Sequence, residues 1–200
     1  MSEPIPHKEI TDPHALRALA HPLRLQLLEE LAISGPLTAT EIAEKVGESP
    51  ANCSWHLRQL AKFGYIEEAP GGVGRQRPWR VVVEVHSWGS ATGDPELAHA
   101  GDAATAILMD HEYQALRAYR AWRAHESPEW RRASGSNQSL AWCTAEELDQ
   151  VNTAILEMLT PYFTRLTDPG SVPDDARLVR FVSWGIPIRP PATAGEDTDA

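Results

Sequence analysis

Residues 38–68 read TATEIAEKVGESPANCSWHLRQLAKFGYIEE, and this stretch decides the fold. Thr38 and Glu41 stand three apart in a capping-box pattern, where each residue satisfies a free backbone donor of the other at a helix start. Ile42, Ala43 and Val46 follow at inward spacing, and Gly47 closes this short helix. Ser49-Pro50 opens another. Serine is a favoured cap, and proline is tolerated at the first helical position because its missing N–H is not needed there. This second helix runs to about Phe63, and Gly64 stops it. With Cys53 as the inward reference, 100° per residue puts Leu57 and Leu60 on the same side. Ala51, Trp55, Arg58 and Lys62 fall opposite, flanked by Asn52, Ser54 and Gln59. Two helices thus meet at a tight turn, and the second presents a polar, basic, aromatic-bearing face outward.

The flanks extend this pattern. From Asp12 to Leu31, Leu16, Leu19, Leu23, Leu27, Leu28 and Leu31 recur at three- and four-residue steps, so they form one stripe. Proline is not accommodated inside a helix. Two helices therefore meet at His21-Pro22, and Ser34-Gly35-Pro36 ends the later one. On the other side, Tyr65 to Glu68 is strand-like. Gly71-Gly72-Val73-Gly74-Arg75-Gln76-Arg77 makes a glycine-rich turn ending in arginine, and β-branched residues mark Trp79 to Val85 as the returning strand. Two strands around a Gly/Arg loop, directly after a helix–turn–helix, make a winged helix spanning residues 12–90.

This order closely resembles the arsenical-resistance-repressor (ArsR) type of bacterial winged-helix regulators. LRALAHPLRLQLLEEL (16–31), the stretch quoted above, and GRQRPWRVV (74–82) carry the resemblance, which covers about residues 12–86. It implies a cytoplasmic homodimer that binds a palindromic operator in double-stranded DNA, with residues 49–63 as recognition helix. Such a helix reads base edges in the major groove with its N-terminal residues. Asn52, Ser54, Trp55, Arg58 and Gln59 are the candidate readers. Asn and Gln can pair bidentately with adenine and Arg with guanine, each worth ~1–3 kcal/mol of discrimination. Ser49 and the free N–H groups of the helix start suit a phosphate, and Lys62 extends the basic face. Arg75 and Arg77 would touch backbone or minor groove. Trp55 either stacks on sugar and thymine methyl or packs on a neighbouring helix. His56 reads as a hydrogen-bonded residue at the edge of the core, and Arg80 as a cap of the sheet.

Charge bears on this reading. The 200-residue chain has 18 Lys/Arg against 28 Asp/Glu, a formal net charge of −10. Such a balance argues against coating nucleic acid or anionic membrane by bulk charge. The distribution is uneven: residues 1–90 carry nine Lys/Arg and eleven Asp/Glu, net −2, and residues 91–200 carry nine and seventeen, net −8. Within 49–82, Arg58, Lys62, Arg75, Arg77 and Arg80 face only Glu67 and Glu68, net +3. A basic window inside an acidic chain is the expected footprint of a phosphate-binding face; by charge alone it is equally a solvated face with scattered charge.

Enzyme and metal readings find little support. No nucleophile elbow, phosphate loop or dinucleotide glycine pattern occurs, and Gly71 to Gly74 lacks the lysine and following helix of a phosphate loop. No cofactor or metal is expected. The helix at 40–46 lacks the Cys-x-Cys pair that many metal sensors of the resembled type carry there. His111 and His125 are 14 residues apart on one helix, ~21 Å at 1.5 Å per residue, too far to share an ion within one chain, which leaves only a site across a dimer interface. Cys53 and Cys143 form no disulfide framework. Cys53 reads as a small buried hydrophobe. The N-terminus has no signal-peptide pattern, and no run of ~18 apolar residues suggests a membrane span.

The second half, residues 94–188, adds a long helix and a small strand–helix–strand region to the winged helix, giving an α+β, mostly helical chain. Asp94-Pro95-Glu96 starts a helix of 32 residues, Asp94 to His125. The resemblance implies a dimer interface built from the first helix and this one, at Leu16, Leu19, Leu97, Ala104, Leu108, His111 and Ala115. Residues 127–138 read as loop and 139–143 as a short strand. Thr144-x-x-Glu147 opens another helix, Arg177 to Ile188 reads as a last strand, and residues 1–11 and 189–200 read as flexible tails. Trp122, Trp130, Trp142 and Trp184 fall in this half, either as core or as the lining of a pocket for a small-molecule effector. The leading expectation is a transcription regulator, most simply a repressor. The alternative is a winged helix used as a protein–protein module, with Trp55 and the acidic half as contacts.

Overall fold

The computed structural model describes residues 6–72, 77–88, 93–166 and 168–189. Its first part is built from four helices and two small sheets. These are β1 (His7–Glu9), α1 (Pro13–Leu19), α2 (Pro22–Ser34), α3 (Ala39–Val46), α4 (Pro50–Lys62), β2 (Ile66–Glu68), β3 (Trp79–Val81) and β4 (Val85–Ser87). Each helix begins at a cap legible in the sequence. Asp12, His21, Thr38 and Ser49 each accept a backbone N–H within the first turn, with proline following three of them. At Thr38 the capping box is complete. Gly47 ends α3 at φ 73°, a left-handed conformation that a side chain would strain.

The core is one cluster. Leu16, Leu27, Leu31, Ile42, Cys53, Leu57, Leu60 and Ile66 are fully buried, and Leu23 and Ala43 join them. These are the inward positions expected of the leucine stripe and of α3–α4. Tyr65 is buried too, and its hydroxyl donates to the Ala15 carbonyl at 2.9 Å, tying the end of α4 to α1.

The wing is an antiparallel pair, β2 with β3, in which Glu67 faces Arg80. Leu37 and Trp79 exchange backbone hydrogen bonds and fasten this pair to the α2–α3 connection. Two details differ from the sequence reading. The returning strand ends at Val81, and Val85–Ser87 forms β4, which pairs in parallel with β1. Residues 7–9 are therefore strand rather than flexible tail, and Ile10 behind them is buried, so burial and the β4 ladder anchor this end.

The second part holds α5 (Pro95–Trp122), a 3₁₀ turn over Arg123–His125, α6 (Pro128–Ala133) and α7 (Ala145–Phe163). α5 packs its N-terminal half on α1 through Ala100, Gly101 and Ala104. Gly101 is a close-approach position: a Cβ there would lie 3.2 Å from the Trp88 ring, whose Nε1 donates to Thr105. The loop expected at 127–138 contains α6, capped by Ser127. The strands expected at 139–143 and 177–188 are not formed. Neither segment has a neighbouring strand to pair with, and the valines and isoleucines of 177–188 do not make a sheet by propensity alone. The chain is α+β and mostly helical, as read, but its C-terminal region is helix and extended chain without a sheet.

Candidate nucleic-acid interface

The candidate site is the outer face of α4 with the adjoining wing. Cys53, Leu57 and Leu60 anchor the helix inward, which leaves Trp55, Arg58 and Lys62 exposed and Asn52, Ser54 and Gln59 half-buried at the borders. This is the division expected from the sequence. Ser49 Oγ accepts from the Asn52 N–H at 3.2 Å, so its hydroxyl is committed to the cap. Asn52 is also engaged, since its Nδ2 donates to Glu48 Oε2 at 3.0 Å. The sequence reading passed over Glu48. Its only signal was an acid just before the Ser-Pro start, where a carboxylate also favours the helix N-terminus.

Arg58 and Arg77 carry no hydrogen bond or ion pair among the described residues, and both are exposed. Lys62 Nζ lies 5.1 Å from the Phe63 ring. Arg80 is spoken for: it pairs with Glu67 across the wing at 2.7 Å, the sheet-capping role expected. Arg75 lies outside the described residues. At the wing's near end Gly71 and Gly72 hold φ of 104° and 97°, values glycine alone adopts at no cost.

Behind this face sits a histidine pair. Trp55 meets His56 edge-on at 4.7 Å, and His56 meets His21 at 4.5 Å. His56 is buried, and its Nδ1 has no hydrogen-bond partner. Burial first, then the charges of His21 and Arg24, push His56 below the ordinary histidine value, and Glu48 opposes this. Burial and then Arg24 push His21 down as well. His21 Nδ1 accepts from the Leu23 N–H at 3.2 Å, so the neutral ring caps α2. That role was missed, although His-Pro at a helix start signalled it. Burial, and then Glu48, push the Cys53 thiol up, which keeps it protonated and unreactive.

The expected dimer residues are mostly spent within the chain. Leu16 and Ala104 are fully buried between α1 and α5, and Leu19 and Leu97 pack against the same core. His111 Nε2 bonds Glu29 Oε2 at 3.0 Å and so joins α5 to α2. Leu108 and Ala115 are half-buried. The large apolar residues α5 leaves open are instead Met109, Tyr113, Leu116 and Trp122. The reason is rotational: α1 claims the face of α5 that the resemblance gives to a partner. The four tryptophans do not build a pocket within one chain. Trp122, Trp142 and Trp184 are exposed, Trp142 completely, and Trp130 is covered by the Arg177 guanidinium at 4.7 Å. Without the expected sheet, nothing gathers them. Among the described residues no group of three or more His, Cys, Asp or Glu could hold a metal ion. No described helix is long and apolar enough to cross a membrane.

Comparison with known proteins gives one family match, a helix-turn-helix domain model that covers residues 19–67. No curated protein matches the chain. Among solved structures, a point variant of Lactococcus lactis ZitR is 17% identical, covering 71% of this chain and 73% of its own, with a TM-score of 0.28. Wild-type Lactococcus lactis ZitR in complex with DNA is 16% identical, covering 75% and 76%, with a TM-score of 0.27. Those scores are too low to carry an argument, so the assignment rests on the family match and on the α3–turn–α4 geometry it coincides with. Residues 19–67 are a helix-turn-helix domain.

Proposed function

We propose that this chain is a DNA-binding transcription regulator of the ArsR type. It acts as a homodimeric repressor on a palindromic site, with α4 in the major groove and the wing on the backbone or minor groove. One observation carries the reading: in the one basic window of an acidic chain, α4 buries one face completely and leaves Trp55, Arg58 and Lys62 outward, and Arg77 is exposed just before the returning strand. Arg58 takes the role of base reader in this proposal, which its exposure on α4 and its lack of a hydrogen bond or ion pair among the described residues support. Arg77 is placed for phosphate. The acidic second half repels the duplex and turns the basic face toward it.

A binding-site selection followed by gel shifts at several salt concentrations tests this. A palindromic motif is expected. Arg77→Ala should flatten the salt slope by about 0.9, the loss of one phosphate contact. Arg58→Ala should relax preference at one operator position by ~1–3 kcal/mol. If selection enriches no motif and salt-insensitive retention of a protein partner is found, the domain is a protein–protein module instead.

A further inference from the structure

α7 is a helix without a core. It has a complete capping box at Thr144 and Glu147, yet none of its 19 residues is buried. Val151, Met158 and Tyr162 are exposed at 51%, 66% and 55%. At 100° per residue these three lie within ~20° of one line. Most of a helix's stability in a protein comes from packing its apolar face, so that line calls for a cover.

α5 has a matching line. Met109, Tyr113 and Leu116 are exposed along its outer face, which continues to Arg120. The C-terminal end of α5 is basic, with Arg117, Arg120 and Arg123 all exposed. α7 has Glu146, Glu147, Asp149 and Glu157 and no Lys or Arg, and three of its four acids stand in its first turns. Laid antiparallel, the acidic start of α7 meets the basic end of α5, and the helix dipoles oppose favourably. The register also closes. Glu147 to Met158 and Arg120 to Met109 are each eleven steps, ~16.5 Å. Val151 then falls level with Leu116, Ala154 with the Tyr113 ring, and Met158 with Met109.

The chain's own α5 does not receive α7. Arg180 pins the C-terminal segment to Glu29 at 2.6 Å and Glu112 at 2.8 Å, and Gly185 of that segment sits against Leu148 on the flank of α7. This holds α7 with its apolar line outward. We propose that α7 of each protomer docks antiparallel on the outer face of α5 of a second copy. A twofold exchange covers both lines in both copies, since an isologous interface satisfies each patch reciprocally. Two such helix pairs bury on the order of 1,000 Å², the threshold for a specific interface. The inference rests on the homodimer reading above and names the surface that makes it.

The test uses sedimentation and cross-linking of the full chain. Met158→Lys leaves the monomer fold intact, because Met158 touches no core residue, and should weaken self-association at least tenfold. In the proposed register Cys143, which is exposed, lies beside Arg123 of the second copy. An Arg123→Cys/Cys143→Ser chain mixed with a size-tagged unmodified chain should therefore form a mixed disulfide dimer on mild oxidation. If the unmodified chain dimerises, Met158→Lys changes nothing and no mixed dimer forms, this inference is overturned and the homodimer stands. A disulfide within single Arg123→Cys chains overturns it too, by placing α7 in cis. If the unmodified chain is monomeric at every concentration, the homodimer reading falls with it.

Discussion

His21→Asn and His21→Ala separate two roles that one imidazole plays at the start of α2. The neutral ring accepts the Leu23 N–H at 3.2 Å. It also meets the His56 ring at 4.5 Å, tilted by 48°, with Arg24 one turn away. A proton on Nδ1 removes the acceptor and adds a cation at a helix N-terminus, which the dipole disfavours. Burial first and Arg24 second hold His21 below its ordinary value. Burial first, then His21 and Arg24, hold His56 below its own against the pull of Glu48. Because both folded values are depressed, the unfolded chain binds protons first as the medium is acidified. The stability these rings contribute is complete above 6.5 and is lost as pH falls below it. Loss of one cap costs about 1 kcal/mol, and for a domain of this size that lowers the melting midpoint by about 4–8 °C. The assay is a thermal melt at about pH 7.5 and about pH 5.5, on either side of the ordinary histidine value. Wild type should lose several degrees on acidification. His21→Ala should already be low at the higher pH. His21→Asn, whose amide oxygen still caps, should stay near wild type there and fall less on acidification. A wild-type midpoint that does not change between the two pH values would refute the reasoning.

Three further outcomes follow from the same structure. Leu57→Ala, at a fully buried position of α4, should cost about 2–5 kcal/mol in a urea titration, and a loss under 1 kcal/mol would mean the core collapses around it. Glu48→Gln removes a carboxylate beside the reading face while keeping an acceptor for Asn52; DNA affinity at low salt should rise several-fold, and an unchanged affinity would place Glu48 away from phosphate. Burial raises the Glu29 carboxyl, but hydrogen bonds from Arg180 and His111 more than offset it and hold it below its ordinary value. Arg180→Ala should therefore release the 177–188 segment, read as faster limited proteolysis there with the 7–88 portion unchanged; equal cleavage rates would show that the ion pairs do not hold it.

The helix-turn-helix was legible because its signals are local. Thr38-x-x-Glu41, Gly47, Ser49-Pro50 and the Cys53–Leu57–Leu60 face lie within one or two turns of each other, where capping and 100° periodicity act without help from distant chain. The exposed and basic side of α4 follows directly once its inner side is known. Other assignments needed partners far along the sequence. Residues 7–9, with no β-branched side chain, become strand because Val85–Ser87 reaches them, and residues 177–188, richer in valine and isoleucine, stay extended because no strand does. Asn52 is a local exception, since Glu48, only four residues away, accepts from its Nδ2. The resemblance gives Leu16 and His111 to an interface, but helical spacing defines a stripe and not its occupant, and within the chain α1, α2 and α5 already engage both. The sequence by itself determined which residues cap, turn and face inward within each helix, since those choices are settled by neighbours a few residues away. Only the tertiary structure decided which apolar stripe is consumed inside the chain and which, on α5 and α7, is left over, because burial depends on what another element presents to it.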